Sequence, residues 1–125
     1  MSARILIIED DRDILESVSR LLVASGYTLI AARDGLEGLE KARVEHPDLI
    51  LTDLMLPKLN GYELCTMLKQ DTRYQRIPIL IWSATKMQEK DAQVAKDCGA
   101  DAYLLKTLAP SEVVKKIQET LVTSH

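Results

Sequence analysis

The stretch Ile5-Leu6-Ile7-Ile8-Glu9-Asp10-Asp11 decides the fold, because four apolar residues stand together without alternation and three acids follow at once. A continuously apolar run is typical of a strand buried on both faces, as in a parallel sheet with helices on each side. Four further runs follow along the chain: Thr28 to Ala32, Leu49 to Leu51, Ile77 to Trp82 and Ala102 to Leu105. The pattern predicts five parallel strands.

An amphipathic stretch with helical spacing follows each of these runs. The first ends at Gly26, and the second begins at Asp34 with Glu37 three residues later, as in a capping box. His46-Pro47 ends the second stretch, because proline cannot continue a helix. The apolar positions that mark the five stretches are Ile14, Leu15, Val18, Leu21 and Leu22; Leu36, Leu39 and Ala42; Leu64, Met67 and Leu68; Val94, Ala95 and Cys98; and Val113, Val114, Ile117 and Leu121. Alternating strands and helices predict an α/β fold, a doubly wound five-stranded parallel sheet of the (βα)5 type.

Length and composition are those of one soluble domain. The chain has 125 residues, which suits a single domain over residues 1–125, and 46% of them are hydrophobic. The net charge of -3 argues against broad binding to nucleic acid or membrane surfaces. Neither a signal peptide nor an apolar run near the ~20 residues of a membrane span is visible. Cys65 and Cys98 lack metal or redox spacing, as buried thiols in a reducing compartment do, so we expect a cytoplasmic protein.

Polar residues stand where the predicted strands end. Glu9 and Asp10 follow the first strand, Asp53 follows the third, Ser83 ends the fourth and Lys106 follows the fifth. In a doubly wound sheet, ligands bind outside the carboxyl ends of the strands. We therefore expect these five side chains to meet at one rim.

Acids gathered at one rim repel each other, and a hard cation removes that cost. Mg2+ prefers oxygen ligands and keeps several waters, so two or three protein oxygens are enough to hold it. Asp10 and Asp53 are the best candidates for direct carboxylate ligands, Glu9 can reach through a water, and the backbone carbonyl of Met55 can complete the set. The sequence thus predicts a Mg2+ site.

The same rim has the groups that phosphoryl transfer requires. The Asp53 carboxylate is ionised at neutral pH and can attack without a general base. The Lys106 ammonium can pair with phosphoryl oxygens, and the Ser83 hydroxyl can donate a hydrogen bond to one of them. Mg2+ turns the acids from a source of repulsion into a phosphate-binding group.

Each of these residues also has a purely structural explanation when it is taken alone. Asp10 or Asp11 can cap the first helix, and Asp53 can start a turn. The serine and the lysine can be ordinary polar strand ends, and Tyr103 can be a strand aromatic with a solvated hydroxyl. The functional interpretation depends on their joint placement at strand ends, in one order.

Four groups of residues together point to a family: Ile5 to Asp11, Asp53-Leu54-Met55-Leu56-Pro57 with Gly61, Ser83-Ala84, and Lys106. In this ordered combination, over nearly the whole chain, the sequence resembles the receiver domains of two-component response regulators. The resemblance implies a flavodoxin-like sheet with strand order 2-1-3-4-5.

The resemblance also implies a function and its partners. A histidine kinase or histidine phosphotransfer protein would donate a phosphoryl group from a phosphohistidine, with Mg2+ as cofactor. The output surface would be the fourth helix, fifth strand and fifth helix, facing an unidentified downstream protein. Because such a domain accepts the group itself, and catalyses only its own phosphorylation and dephosphorylation, it is not a conventional enzyme. The implied roles are acceptor for Asp53, acidic pair for Glu9 and Asp10, switch hydroxyl for Ser83, phosphate pairing for Lys106 and aromatic switch for Tyr103.

The sequence departs from the family pattern in three places. Ser83 replaces the usual threonine at the switch position, which removes a methyl group but keeps the hydroxyl donor. Glu9 replaces the more usual aspartate and is one methylene longer. Thr107 follows Lys106, where the family usually has a proline, often after a cis bond. A cis bond before a non-proline residue costs about 2.5–4 kcal/mol, so the Lys106–Thr107 bond is expected to be trans or strained.

Two other functions compete with phosphoryl acceptance. One is a receiver-like scaffold that binds a protein without phosphorylation, and Thr107 gives it some weight. The other is a flavin-binding electron carrier, which only fold-level analogy supports. The sequence leaves open whether phosphorylation drives a homodimer and whether the chain stands alone or belongs to a larger protein.

Overall fold

A five-stranded parallel sheet with strand order β2-β1-β3-β4-β5 organises the chain, as predicted. The computed structural model describes residues 3–83, 93 and 97–123. The elements of this part are β1 (Arg4–Ile8), α1 (Arg12–Ala24), β2 (Thr28–Ala32), α2 (Gly35–Glu45), β3 (Leu49–Asp53), α3 (Gly61–Lys69), β4 (Ile79–Ser83), β5 (Ala102–Leu105) and α4 (Pro110–Thr123).

The strand register brings the carboxyl ends to one edge of the sheet. Ile8 of β1 pairs with Thr52 of β3, and Asp53 pairs with Trp82 of β4. Ser83, the last residue of β4, pairs with Leu105 of β5. The residues that end or directly follow four strands are thereby held side by side.

Helices cover both faces of the sheet, which explains why the strands are apolar without alternation. Leu6 and Ile8 of β1 belong to a core cluster with residues of α2 and α3. Ile5 and Ile7 point the other way, into a cluster with residues of α1 and α4. All four side chains are fully buried, and each contributes roughly 1.5–3 kcal/mol by leaving water.

Four details of the predicted elements are wrong, and the first is Leu21, an apolar position of the first predicted helix that is 38% exposed. Leu36 and Met67 were expected to face the core but are 53% and 41% exposed. The buried positions of their helices follow the i, i+3, i+4, i+7 spacing from Gly35 and from Gly61, and both residues lie off that stripe. The fourth strand begins at Ile79 rather than Ile77, next to Pro78, which has no N–H to donate to a ladder.

The predicted helix boundaries are confirmed by their capping contacts. Asp34 accepts a hydrogen bond from the backbone N–H of Glu37 at 2.8 Å. His46 ends α2 in a left-handed conformation with φ of 47°, and Gly26 follows α1 with φ of 94°. A Cβ on Gly38 would lie 2.4 Å from Cδ1 of Ile8, so a glycine allows α2 to sit directly on β1.

The predicted fourth helix lies mostly outside the described residues. Val94 and Ala95 are not among them, while Gln93 and Asp97 are helical. The predicted fifth helix is α4, which begins at Pro110 as expected. Within the described part, each helix is too short or too polar to cross a bilayer. The Lys106–Thr107 bond is trans, since the described residues contain no cis peptide bond.

Candidate functional site

The three acids predicted from the sequence meet at the carboxyl end of the sheet. Glu9, Asp10 and Asp53 each place one carboxylate oxygen within 4.8 Å of the others. Asp53 ends β3, and Glu9 and Asp10 follow the neighbouring strand β1. Glu9 and Asp53 are buried, whereas Asp10 is exposed. The cluster is therefore closed towards the core and open to solvent at Asp10.

Lys106 brings a positive charge to this cluster from the edge strand β5. Its backbone N–H donates to the carbonyl of Ser83 at 2.8 Å, which fixes the end of β5 against the end of β4. Its Nζ lies 2.5 Å from Oε1 of Glu9 and 3.0 Å from Oδ2 of Asp53. The side chain thus spans β4 and reaches the acids of the central strands.

Glu9 is fully buried, and its pKa departs from the ordinary value of a glutamate. Burial raises its pKa to about 7, and the neighbouring Asp53 carboxylate adds to the rise. The contact with Lys106 and a hydrogen bond from the backbone N–H of Asp11 to Oε2, at 3.0 Å, oppose that rise. Lys106 faces Oε1 as an ion pair, but no group of the described residues gives that oxygen a hydrogen bond of good geometry.

The charge state of Lys106 follows from the same contacts. Burial acts to lower the pKa of the ammonium, but the contacts with Glu9 and Asp53 outweigh it and raise the pKa above its ordinary value. Lys106 therefore stays protonated at neutral pH.

The donor set fits a hard divalent cation. Among the described residues, Lys106 is the cation that contacts the carboxylates of this cluster, so three carboxylates hold more negative charge than one ammonium offsets once all of them ionise. Its candidate ligands are all oxygen atoms, and buried Oε1 of Glu9 accepts no hydrogen bond of good geometry from the residues that the structure describes. Mg2+ prefers such ligands, and the exposed Asp10 side leaves space for its waters.

The structure separates the two neighbouring aspartates. Asp11 caps α1, because its side chain accepts from the backbone N–H groups of Asp13 at 3.0 Å and Ile14 at 3.3 Å. Asp10 is the one that joins the acidic cluster. Arg33 donates to the Asp10 carbonyl at 3.3 Å, a contact that sequence reasoning missed although Arg33 directly follows β2.

The loop after Asp53 is held tightly against the strand ends. The Leu54 N–H donates to the Trp82 carbonyl at 3.0 Å, and the Met55 N–H donates to Oδ1 of Asp53 at 3.3 Å. A Cβ on Gly61 would lie 2.6 Å from the Asp53 carbonyl oxygen, so only glycine fits at the start of α3. The Met55 side chain is exposed, and the proposed role of its carbonyl remains a prediction.

The two predicted switch residues lie near the site on different strands. Ser83 is buried at the carboxyl end of β4, one residue beyond the pair formed by Asp53 and Trp82. Tyr103 lies opposite Ile81 in β5, partly buried against the cluster on the α2 and α3 face. Ser83 therefore lies at the rim, and Tyr103 lies two residues before the end of β5.

Sequence comparison identifies relatives of this chain. The family model for the response regulator receiver domain matches residues 5–118. The alkaline phosphatase synthesis transcriptional regulatory protein PhoP of Bacillus subtilis is 40% identical over 125 residues, covering 100% of this chain and 51% of PhoP. The polar-differentiation response regulator DivK of Brucella ovis is 34% identical over 121 residues, covering 97% of this chain and 98% of DivK. The chain thus spans about half the length of PhoP and nearly all of DivK.

Solved structures of similar shape agree with the sequence comparison. A CheY-like receiver domain protein from Methanospirillum hungatei superposes with a TM-score of 0.91 and 30% identity, covering 99% of this chain and 97% of that one. The phosphorylated cyanobacterial phytochrome response regulator RcpA gives a TM-score of 0.85 and 28% identity over 100% and 97% of the two chains. The Mn2+-bound form of response regulator Rcp1 gives 0.79 and 29% over 94% and 90%. From its fold, its acidic rim and these matches, the chain belongs to the response regulator receiver domain family of two-component systems.

Proposed function

We propose that the chain accepts a phosphoryl group onto Asp53 from the phosphohistidine of a histidine kinase or histidine phosphotransfer protein, in a Mg2+-dependent reaction. The observation that carries the proposal is the position of Asp53 Oδ2, 3.0 Å from the Lys106 ammonium and within a cluster of three carboxylates. The phosphorylated state of the similar regulator RcpA supports the same chemistry here.

The transfer needs a nucleophile and a way to neutralise charge. A carboxylate oxygen of Asp53 forms a bond to phosphorus while the bond from phosphorus to the donor's imidazole nitrogen breaks, and the electron pair of that bond stays on the imidazole. Lys106 leaves its ion pair with Asp53 to bind phosphoryl oxygens, and the Ser83 hydroxyl donates to another of them. The Asp53 carboxylate needs no general base.

Glu9, Asp10, Asp53 and the Met55 carbonyl would hold the Mg2+ ion. When bound, it neutralises the charge that repels a phosphoryl group from the acids. The exposed side of the cluster at Asp10 gives an ion access from solvent. The Mn2+-bound form of Rcp1 supports a divalent cation in this family fold.

Phosphorylation would be transmitted through Ser83 and Tyr103 to an output surface. Ser83 moves towards the phosphoryl group, Tyr103 turns inward, and the face around β5 and α4, together with the predicted fourth helix, binds a downstream protein or a second copy of the chain. This scheme rests on the placement of Ser83 at the rim and of partly buried Tyr103 in β5.

The chain acts as a cytoplasmic signalling domain over residues 1–125, not as a conventional enzyme, in this proposal. Its catalysis is confined to its own phosphorylation and dephosphorylation. The chain covers 51% of PhoP but 98% of DivK, so it corresponds to about half of the first protein and to nearly the whole of the second.

Intact-mass measurement after incubation with acetyl phosphate tests the proposal. With Mg2+, the chain is expected to gain one phosphoryl group, and with EDTA it should gain none. Asp53→Asn should abolish the gain, while Asp13→Asn, an exposed aspartate in the first turn of α1, should keep it.

An unmodified mass with Mg2+ present would contradict the proposal and favour the phosphorylation-independent scaffold. The flavin-carrier alternative has no support from the family assignment, and a purified protein without flavin absorbance would count against it.

A further inference from the structure

Trp82 lies directly beneath the proposed reaction centre. It pairs with Asp53 across β3 and β4, and it is 2% exposed. The Lys106 ammonium lies over its ring, 5.4 Å from the ring centroid. The same ammonium also contacts Glu9 and Asp53, so three groups surround it.

A tryptophan is a costly choice for this core position. Its indole N–H is buried and has no hydrogen-bond partner in the described structure. An unpaired buried donor lowers stability, and buried tryptophan N–H groups usually find a partner. A leucine would fill the apolar cluster on this face without that donor. The ring face towards Lys106 offers a compensating gain, since a desolvated cation over an indole is attracted by its π-electrons.

Lys106 needs a contact that fixes its ammonium group and persists throughout the reaction. Its four-carbon stem is flexible, and its two carboxylate contacts are given to Mg2+ and the phosphoryl group in the proposed function. The indole face is uncharged and takes no part in either bond. It can therefore hold the ammonium before and after transfer.

We propose that Trp82 is a positioning residue, whose indole face holds the Lys106 ammonium against the phosphoryl group on Asp53. The inference rests on the proposed function, because it needs Lys106 to bind that group. If Trp82 had only a packing role, the phosphorylation rate would not depend on the charge distribution of its ring.

Fluorinated tryptophan separates these two roles without changing the fold. Trp82 is the one tryptophan of the chain, so biosynthetic incorporation of mono-, di- and trifluorotryptophan modifies this position alone. Each fluorine withdraws charge from the ring face and weakens its attraction for a cation. We expect the rate of phosphorylation by acetyl phosphate and Mg2+ to fall stepwise with fluorine number. Full loss of the interaction corresponds to a decrease of about 2- to 30-fold.

Side-chain variants and NMR give a second measurement. Trp82→Phe keeps an aromatic face and should retain most of the phosphorylation rate. Trp82→Leu should lower that rate as much as trifluorotryptophan does. Leu80→Ala, two residues earlier in β4 and in the same apolar cluster, removes core packing without changing the aromatic ring that contacts Lys106 and should leave the rate unchanged. The Lys106 ε-methylene protons should resonate upfield in the unmodified protein and lose that shift in Trp82→Leu.

Equal rates for the unmodified and fluorinated proteins would overturn the role of Trp82, and so would an unshifted ε-methylene signal. The fluorination series decides the matter even if Trp82→Leu does not fold. Failure of the unmodified protein to take up any phosphoryl group would instead contradict the proposed function, so the two failures are distinct.

Discussion

Lys69 and Lys106 lie at opposite ends of the sheet, and the fold surrounds these two mostly buried positive charges differently. Lys69 ends α3 near the amino ends of β4 and β5, and its side chain is 19% exposed. Its Nζ donates to the carbonyls of Gln75 at 3.2 Å and Ile77 at 2.8 Å. It also pairs with Asp101 at 3.3 Å, and that carboxylate accepts from the Ile79 N–H at 2.7 Å. Each of these three partners accepts a hydrogen bond from the Lys69 ammonium.

Lys106 has a similar burial, 12% exposed, and different surroundings. Within the described ranges its charged partners are the carboxylates of Asp53 and Glu9, and burial raises the pKa of Glu9 to about 7. Lys69 is fixed by backbone dipoles and a matched acid, so its charge serves the fold. Lys106 stands in an excess of negative charge that a cation can relieve, so its charge serves a ligand. The comparison suggests that an unbalanced buried group, rather than burial alone, marks a functional site.

The largest expected effect is a difference in phosphorylation between variants of Asp53 and Asp101, which lie at opposite ends of the sheet. Asp53→Asn should abolish phosphorylation by acetyl phosphate, because the amide cannot attack phosphorus. Asp101→Asn, which lies beside Lys69, should leave phosphorylation intact. Intact mass measures both, and a phosphorylated Asp53→Asn protein would show that another residue is the acceptor.

Replacing each lysine by methionine should affect the phosphorylation rate at one end of the sheet and the free energy of unfolding at the other. Lys106→Met should lower the phosphorylation rate by about 10²- to 10³-fold, the usual loss for one electrostatic donor at a reaction centre. Lys69→Met should change the rate little but lower the free energy of unfolding by about 1–3 kcal/mol, because two carbonyls and Asp101 lose a donor. Intact-mass spectrometry of samples quenched at successive times measures the phosphorylation rate, and urea unfolding measures the free energy of unfolding. A Lys69→Met protein as slow as Lys106→Met would remove the distinction.

The pH dependence of stability should report Glu9. Its pKa is about 7 in the folded protein and near 4.5 in the unfolded chain, so the folded state binds the proton more tightly. The stabilisation that this proton gives is complete below pH 4.5 and is lost as pH rises through 7. Urea unfolding in EDTA should therefore show a contribution of roughly 1–3 kcal/mol that falls between pH 5 and pH 8. Glu9→Gln should lack it, and an unchanged pH dependence in that variant would count against a protonated Glu9.

The smallest expected effect is stabilisation by the cation. Mg2+ at tenfold above its Kd should raise the free energy of unfolding by about 1.4 kcal/mol, because it binds the folded state alone. Asp10→Asn should reduce this increment and Asp13→Asn should keep it, as measured by thermal unfolding with and without EDTA. Equal increments in both variants would place the ion elsewhere.

The sheet was predictable because its strands carry a local signal. Runs such as Ile5 to Ile8 and Leu49 to Leu51 have no polar face, and only strands covered on both sides bury such runs. Parallel strands then bring their carboxyl ends to one edge, so Asp10 and Asp53 could be placed together from the sequence. The prediction that Leu36 faces the core was wrong. Its apolar character is visible in the sequence, but its exposure depends on how α2 is rotated against β1.

The electrostatics of the site could not be predicted in the same way. The pKa of Glu9 depends on its complete burial and on a lysine 97 residues away, and neither is visible in a local pattern. Sequence alone also left both Asp10 and Asp11 as candidates for the helix cap, and the hydrogen bonds accepted by Asp11 identify the cap. The contact of Lys106 with the Trp82 ring requires two neighbouring strands to be in register.

Anomalous diffraction from crystals soaked in Mn2+, which takes the place of Mg2+ at hard oxygen sites, tests most directly whether the unbalanced acids form a cation site. We expect one strong peak between the carboxylates of Asp10 and Asp53, with Lys106 still beside Asp53. A map without a peak there, with the Asp10 carboxylate turned away from Asp53, would contradict both the cation site and the phosphoryl chemistry built on it.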